Sequence, residues 1–299
     1  MNSPASVRAR LLQISQRSGE DFQSVLTRYA IERFLYRVGI SEQRHAFVLK
    51  GAMLFVVWQG CLHRPTKDLD LLGFGAPSVA DVAARIRQIA AVSAEDGIVF
   101  DPDGVETEVI AEEATYAGVR AKLTARLEQA RIRLQIDVGF GDAVQPEPLT
   151  KEFPALLLHM AAPVLRMYPA EVVIAEKLHA MLILDIRNSR MKDFYDLWYL
   201  AQTGSFQAAT LRRAVEATFA RRQTGLPTSV PFALTEGFLD DKAKSQQWQA
   251  FLRRLRLDAD TPDLLAVGTV IARFVEPVLR EPAGTLFWQS GGPWRDAPE

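Results

Sequence analysis

Residues 119–140 alternate strongly between apolar and polar side chains, and this alternation commits the chain to a sheet. Successive side chains of an extended strand point to opposite sides, so a period of two marks a strand with one buried face. On the second half of the segment Ile132, Leu134, Ile136 and Val138 share one face, while Arg131, Arg133, Gln135 and Asp137 share the other. The first half repeats the theme with Arg120, Lys122, Thr124 and Arg126 on one side. The spacing predicts a hairpin turning near 128–130.

Around the hairpin the periodicity changes. Phe22, Val25, Leu26, Tyr29, Phe34 and Leu35 recur near helical spacing and predict a helix over 21–38, with Gly39 as its stop. A short strand is expected at 46–49, then a helix over 51–59, a polar turn over 63–67, a strand over 69–74 and a helix over 81–92. After Pro163 helical patterns dominate, at 170–184, 192–202, 206–222, 245–257 and 262–279. The Pro- and Gly-rich C-terminus is expected to trail off as coil. The expected fold is therefore α/β (α+β). A lobe over 1–162 carries a mixed twisted sheet flanked by helices, and a mainly helical lobe over 163–299 contributes to the active-site cleft.

Composition bounds the function classes. With 48% hydrophobic and 24% charged residues, the 299-residue chain is an ordered globular protein. Its 35 Lys and Arg against 36 Asp and Glu neither demand nor exclude a nucleic-acid partner, since a basic face can hide in a neutral total. Cys61 is the only cysteine, so no internal disulfide and no cysteine metal site can form, which fits a reducing cytoplasm. Arg8, Arg10 and Arg17 leave no apolar signal stretch near the start, and the apolar run at 172–184 is broken by Glu176, Lys177 and His179. No membrane partner is expected.

The chemistry-bearing motif is Asp68-Leu69-Asp70, preceded by Arg64-Pro65-Thr66-Lys67. At the start of a strand both carboxylates face the same way, while Leu69 and Leu71 face the core. Two close carboxylates repel unless a cation sits between them, and a hard divalent ion such as Mg²⁺ or Mn²⁺ accepts such oxygen ligands. Two solvated acids paired with Arg64 and Lys67 are the competing reading. Upstream, Leu49-Lys50-Gly51-Ala52 ends a strand and starts a helix. A glycine there lets a phosphate approach the backbone, and the helix N-terminus favours an anion. Strand, glycine, helix, turn and strand with the paired acids is the ordered layout of nucleotidyltransferases.

The stretches FVLKGAMLF, HRPTKDLDLL, RLQIDVGFGD, AEKLHAMLI and RMKDFYDLWYL, spread over residues 47–201, resemble the AbiEii/AbiGii toxin family. That family is a branch of the nucleotidyltransferases found in bacterial toxin–antitoxin loci of type IV-like systems and in phage-defence loci. The usual Gly-Ser pair reads Gly51-Ala52 here, so a serine hydroxyl contact to phosphate is missing. The resemblance implies transfer of a nucleoside monophosphate from an NTP to a hydroxyl, with the tRNA 3′ end as candidate acceptor and a cognate antitoxin encoded nearby. It makes Asp68, Asp70 and Asp137 the metal ligands, with an acid paired to Arg133 or Arg120 as the plainer account of Asp137.

Lys50, Gly51, Ala52 and Thr66 are the candidate nucleotide-binding positions, joined by Lys177. Lys177 shares an apolar helical stripe with Val173, Ala180, Met181 and Leu184, so its ammonium must leave the core or meet an anion. The resemblance implies a nucleotide triphosphate as that anion; a salt bridge to Asp193 or Asp196 is the competing account. Asp193 matches the family's acidic position and is assigned to the catalytic set with Asp68, Asp70, Asp137 and Lys177, whereas Asp196 is read as structural. Arg120, Lys122, Arg126, Arg131 and Arg133 form a candidate RNA track if their faces are continuous; a solvated sheet face is the bland alternative. Phosphorylation of Thr66 would put nearly two negative charges where a nucleotide must bind. The rival functions are a nucleotidyltransferase acting on a protein or small molecule, and a non-enzymatic module that binds nucleotide or antitoxin.

Overall fold

The computed structural model describes residues 2–75, 77–112, 116–257, 261–280 and 285–296. Two helices open it, α1 (Pro4–Ser18) and α2 (Phe22–Ile40). Ser3 caps the first by accepting from the Ser6 N–H, and Asp21 caps the second by accepting from the Ser24 N–H. Each cap satisfies a donor that the helix itself leaves orphaned. Gly39 does not stop α2 as the sequence predicts; the helix runs through it to Ile40. Its role is close approach instead, because a Cβ there would lie 2.5 Å from the Val164 carbonyl oxygen.

The chain continues through β1 (Phe47–Lys50), α3 (Leu54–Gln59), β2 (Asp68–Gly73), α4 (Val79–Ala90), β3 (Ile98–Phe100) and β4 (Glu106–Glu112). The predicted hairpin is present as β5 (Tyr116–Leu127) and β6 (Ala130–Phe140), with Glu128 at φ 54° in its turn. Two short strands follow, β7 (Leu149–Glu152) and β8 (Val164–Met167). Together these strands make one mixed sheet ordered β3-β5-β6-β2-β1-β8-β7, with β4 paired to β5. β2 runs parallel to β6 and antiparallel to β1, and β1 runs parallel to β8.

One face of this sheet is the core. Leu69, Leu71, Leu123, Ile132, Leu134, Ile136 and Val138 are buried there, and α1, α2 and α4 pack against the sheet. The opposite face carries the polar members of each strand, as the alternation requires. The expected α/β lobe with a mixed sheet flanked by helices is thus observed.

The chain divides into two units. The first takes in the chain to Asp142 together with Pro148–Tyr168; the second holds Ala143–Glu147 and the chain from Pro169. The sequence boundary at 162/163 lies just ahead of β8, which pairs with β1 inside the first unit.

The second unit is built from α5 (Ala170–Leu184), α6 (Met191–Thr203), β9 (Phe206–Gln207), α7 (Ala208–Arg221), α8 (Glu236–Leu239), α9 (Lys242–Leu255) and α10 (Leu264–Leu279). α5 packs on α7, and α10 packs on α6. The C-terminal segment is not coil as expected. It forms β10 (Leu286–Trp288) and β11 (Trp294–Asp296), and β10 also pairs with β9. Aromatic burial holds the hairpin down: Trp288 donates to the Ala201 carbonyl at 2.7 Å, and Trp294 donates to the Phe274 carbonyl at 2.9 Å. No helix among the described residues is long and apolar enough to cross a membrane.

Candidate active site

The site is assembled where β1, β2 and β6 lie side by side. The antiparallel register sets Lys50 opposite Asp70, and the parallel register sets Asp68 opposite Gln135 and Asp70 opposite Asp137. Register partners project to the same face, so Lys50, Asp70 and Asp137 stand in a row on the polar side of the sheet. Leu69 and Leu71 are fully buried on the other side, which fixes the outward direction of Asp68 and Asp70.

Gly51 follows β1 directly and has φ +77°, a conformation that disfavours any side chain. A Cβ at this position would overlap the Asp70 Oδ2. The glycine therefore gives Asp70 room at the end of β1 rather than starting a helix. The helix predicted to begin at 51 begins at Leu54, because the left-handed glycine turns the chain first. Ala52 is buried, which agrees with an alanine where a hydroxyl would otherwise stand.

Asp68 is exposed and Asp70 half-buried. Two carboxylates on one face, at a glycine that makes room for one of them, are a hard-oxygen donor set that fits a divalent cation. Among the described residues no three His, Cys, Asp or Glu side chains gather into a metal cluster. Asp137 is close in register but engaged: Arg120 donates to its two oxygens at 2.8 Å each, and Gln135 donates at 3.2 Å. Of the two partners the sequence offered for Asp137, the structure selects Arg120.

Lys50 was expected to bind nucleotide. Its Nζ lies 2.9 Å from Asp142 Oδ2, the two side chains are only 10% and 9% exposed, and the Tyr168 hydroxyl donates to the same carboxylate at 3.2 Å. Asp142 lies within the stretch RLQIDVGFGD, yet sequence reasoning left it unassigned. The signal that could have found it is Lys50 itself, since a lysine closing an apolar strand needs an anion nearby. Thr66 is half-buried, and its hydroxyl donates weakly to the Asp68 carbonyl at 3.4 Å.

The basic faces of the hairpin are continuous. Arg120 pairs in register with Asp137, Lys122 with Gln135, Thr124 with Arg133 and Arg126 with Arg131. Lys122 meets Glu108 at 2.9 Å. Arg126, Arg131 and Arg133 are exposed and have no acidic partner within ion-pair distance among the described residues.

In the second unit Lys177 of α5 meets Asp193 Oδ1 at 2.6 Å and Asp196 Oδ2 at 2.8 Å, and Arg190 meets Asp193 Oδ2 at 2.7 Å. Asp193 and Asp196 are buried, one turn apart on α6. Burial pushes the Asp193 carboxyl up, but the Lys177 and Arg190 charges outweigh it and hold the group below the usual carboxylate range. The salt-bridge reading of Lys177 is thus realised, and with both candidate acids. His179, on the same helix, is pushed down to about 4 by burial and by Arg222, so it stands neutral.

The mixed sheet presents its paired acids beside a left-handed glycine, and the family match places the chain among the nucleotidyltransferases, a class that generally uses an NTP and a divalent metal. Residues 33–270 match the family described as nucleotidyl transferase AbiEii toxin, type IV toxin–antitoxin system, and the chain belongs to that family. The fold is similar to the crystal structure of a provisionally assigned nucleotidyltransferase from H. pylori, with TM-score 0.51 and 16% identity, covering 86% of this chain and 96% of that one. Protein JHP933 from Helicobacter pylori has TM-score 0.49 and 15% identity, covering 86% of this chain and 93% of its own. No curated protein sequence matches the chain.

Proposed function

We propose that this toxin transfers a nucleoside monophosphate from an NTP to a hydroxyl acceptor, the tRNA 3′ end, and thereby blocks translation and growth. The observation that carries the reading is the packing of Gly51 against Asp70 beside Asp68. It is a local geometry that a merely solvated acid pair does not require. In the reaction the acceptor hydroxyl loses its proton to solvent as its oxygen bonds to the α-phosphorus, the bond from that phosphorus to the α–β bridging oxygen breaks, and pyrophosphate leaves.

Asp68 and Asp70 would hold Mg²⁺ or Mn²⁺, with Asp137 as the third carboxylate. Held by these carboxylates, such an ion would supply Lewis-acid stabilisation of the charge that develops on the phosphates. Gly51 and Ala52 would line the phosphate site. Lys50 fixes that turn through Asp142.

The unopposed arginines support a polyanionic acceptor. Arg126 and Arg131 face each other directly across the hairpin, an arrangement that costs sheet stability through like-charge repulsion. A bound phosphate backbone would offset that cost. Arg131 stands six positions before Asp137 on β6, a span of about 20 Å along a strand, which suits an RNA strand leading to the carboxylates. The family implies a cognate antitoxin as the protein partner.

The test is label transfer from each NTP to total tRNA with Mg²⁺, comparing wild type with Asp68→Ala/Asp70→Ala. Label on tRNA only with wild type supports the reading. Label on protein or small acceptors in an RNA-free assay would replace the acceptor, and growth arrest by a folded Asp70→Ala variant would replace catalysis by binding.

A further inference from the structure

Arg120 reaches the acidic end of the polar sheet face through paired hydrogen bonds. Its guanidinium forks onto both oxygens of Asp137 at 2.8 Å, and Asp137 is the register neighbour of Asp70. The Arg120 side chain is 30% exposed and that of Asp137 13%, so the pair is partly shielded from water and the fork is stronger than an open surface pair. A divalent ion bound by Asp68 and Asp70 would seek the same Asp137 oxygens, and a guanidinium and a divalent ion at one carboxylate repel each other.

We propose that Arg120 is an internal counter-cation of the carboxylate site, which competes with a divalent ion for Asp137 so that the fork must open before Asp137 can ligate. With the fork closed, both Asp137 oxygens are occupied by the guanidinium. With it open, Arg120 joins the exposed Arg126 on the polar face of β5, ready for an incoming phosphate. Arg120 is thus a positioning residue for the third carboxylate. This inference rests on the reading of Asp68 and Asp70 as cation ligands.

The experiment is Mn²⁺ binding to the full chain, read by calorimetry and by electron paramagnetic resonance of the free ion, with no nucleotide present. Arg120→Gln is expected to bind Mn²⁺ about tenfold more tightly than wild type, the ratio given by about 1.4 kcal/mol of relieved competition. Arg120→Lys, which keeps the charge but loses the fork, is expected to fall between them; it decides the matter if circular dichroism shows Arg120→Gln unfolded. The gain should vanish in Arg120→Gln/Asp137→Asn. Equal or weaker binding by a folded Arg120→Gln would overturn the inference while leaving the acid pair intact. Wild-type binding that survives Asp68→Asn/Asp70→Asn would overturn the acid-pair reading and the competition together.

Discussion

Gly51 and Asp70 are packed so closely that the space of the missing glycine Cβ is taken by the Asp70 Oδ2. Gly51→Ala therefore carries two penalties. The left-handed backbone at φ +77° should cost about 1–2 kcal/mol of stability. Asp70 must also move, and a displacement of about 1 Å at a reacting centre lowers rates by about a hundredfold. Urea denaturation and NTP label transfer separate the two effects. Full transfer activity in this variant would show that the position of Asp70 is unimportant.

Lys177→Met should destabilise the second unit by about 3–5 kcal/mol, the usual consequence of removing one partner from a buried ion pair. The ammonium touches both Asp193 and Asp196, so two buried carboxylates lose a cation at once. The pH dependence follows from Asp193. Its folded pKa lies below the unfolded value of about 3.9, so its contribution is present above that pH and is lost as pH falls through the folded value. Denaturant midpoints at pH 7 and pH 3 should differ less in Lys177→Met than in wild type.

His179 also makes the fold weaker in acid, although here the neutral form is the native one. Its pKa falls from about 6.5 to about 4 on folding, so the unfolded chain takes up the proton first as pH drops. Stability from this group is intact above pH 6.5 and is lost progressively between about 6.5 and 4, reaching on the order of 3 kcal/mol. A His179→Gln variant should flatten that part of the stability curve. An unchanged slope would mean that the ring is protonated in the folded protein.

Arg126→Thr should leave the isolated protein equal or slightly more stable, by up to about 0.5 kcal/mol at low salt, because it removes a cation facing Arg131. The same change should weaken tRNA binding and reduce the salt slope of log K by about 0.7–0.9 for each phosphate no longer neutralised. Filter binding across a salt series reads both quantities. Affinity and slope that match wild type would remove this face from the RNA path.

Thr66→Glu places a negative charge two residues before Asp68, between the exposed Pro65 and Lys67. The native hydroxyl makes only a long hydrogen bond to the Asp68 carbonyl, at 3.4 Å, so little structure depends on it. The variant is expected to lose NTP affinity by about tenfold, equivalent to about 1.4 kcal/mol of repulsion. Equal affinity would show that Thr66 stands clear of the nucleotide.

Much of the layout is legible because it is local. Alternation at 119–140 specified a hairpin and both of its faces, and the observed turn at Glu128 sits inside the expected 128–130. The apolar flank of Leu69 and Leu71 specified which way Asp68 and Asp70 point. Local signals also misled. Gly39 looks like a helix stop, but its small size serves a close approach to Val164 far along the chain. The Pro- and Gly-rich tail looks like coil, but Trp288 and Trp294 find buried acceptors on distant helices.

By itself the sequence determined the alternating faces, the paired acids, the glycine between β1 and α3, and the isolated lysine on an apolar helix, since each follows from the spacing of side chains on one element. Only the tertiary structure decided the partners. It paired Asp137 with Arg120 rather than Arg133, gave Lys50 to Asp142, and gave Lys177 both Asp193 and Asp196. The physical reason is register. Which charges meet depends on how strands and helices align across long separations in sequence, and a carboxylate is satisfied equally well by any cation that the alignment brings within reach.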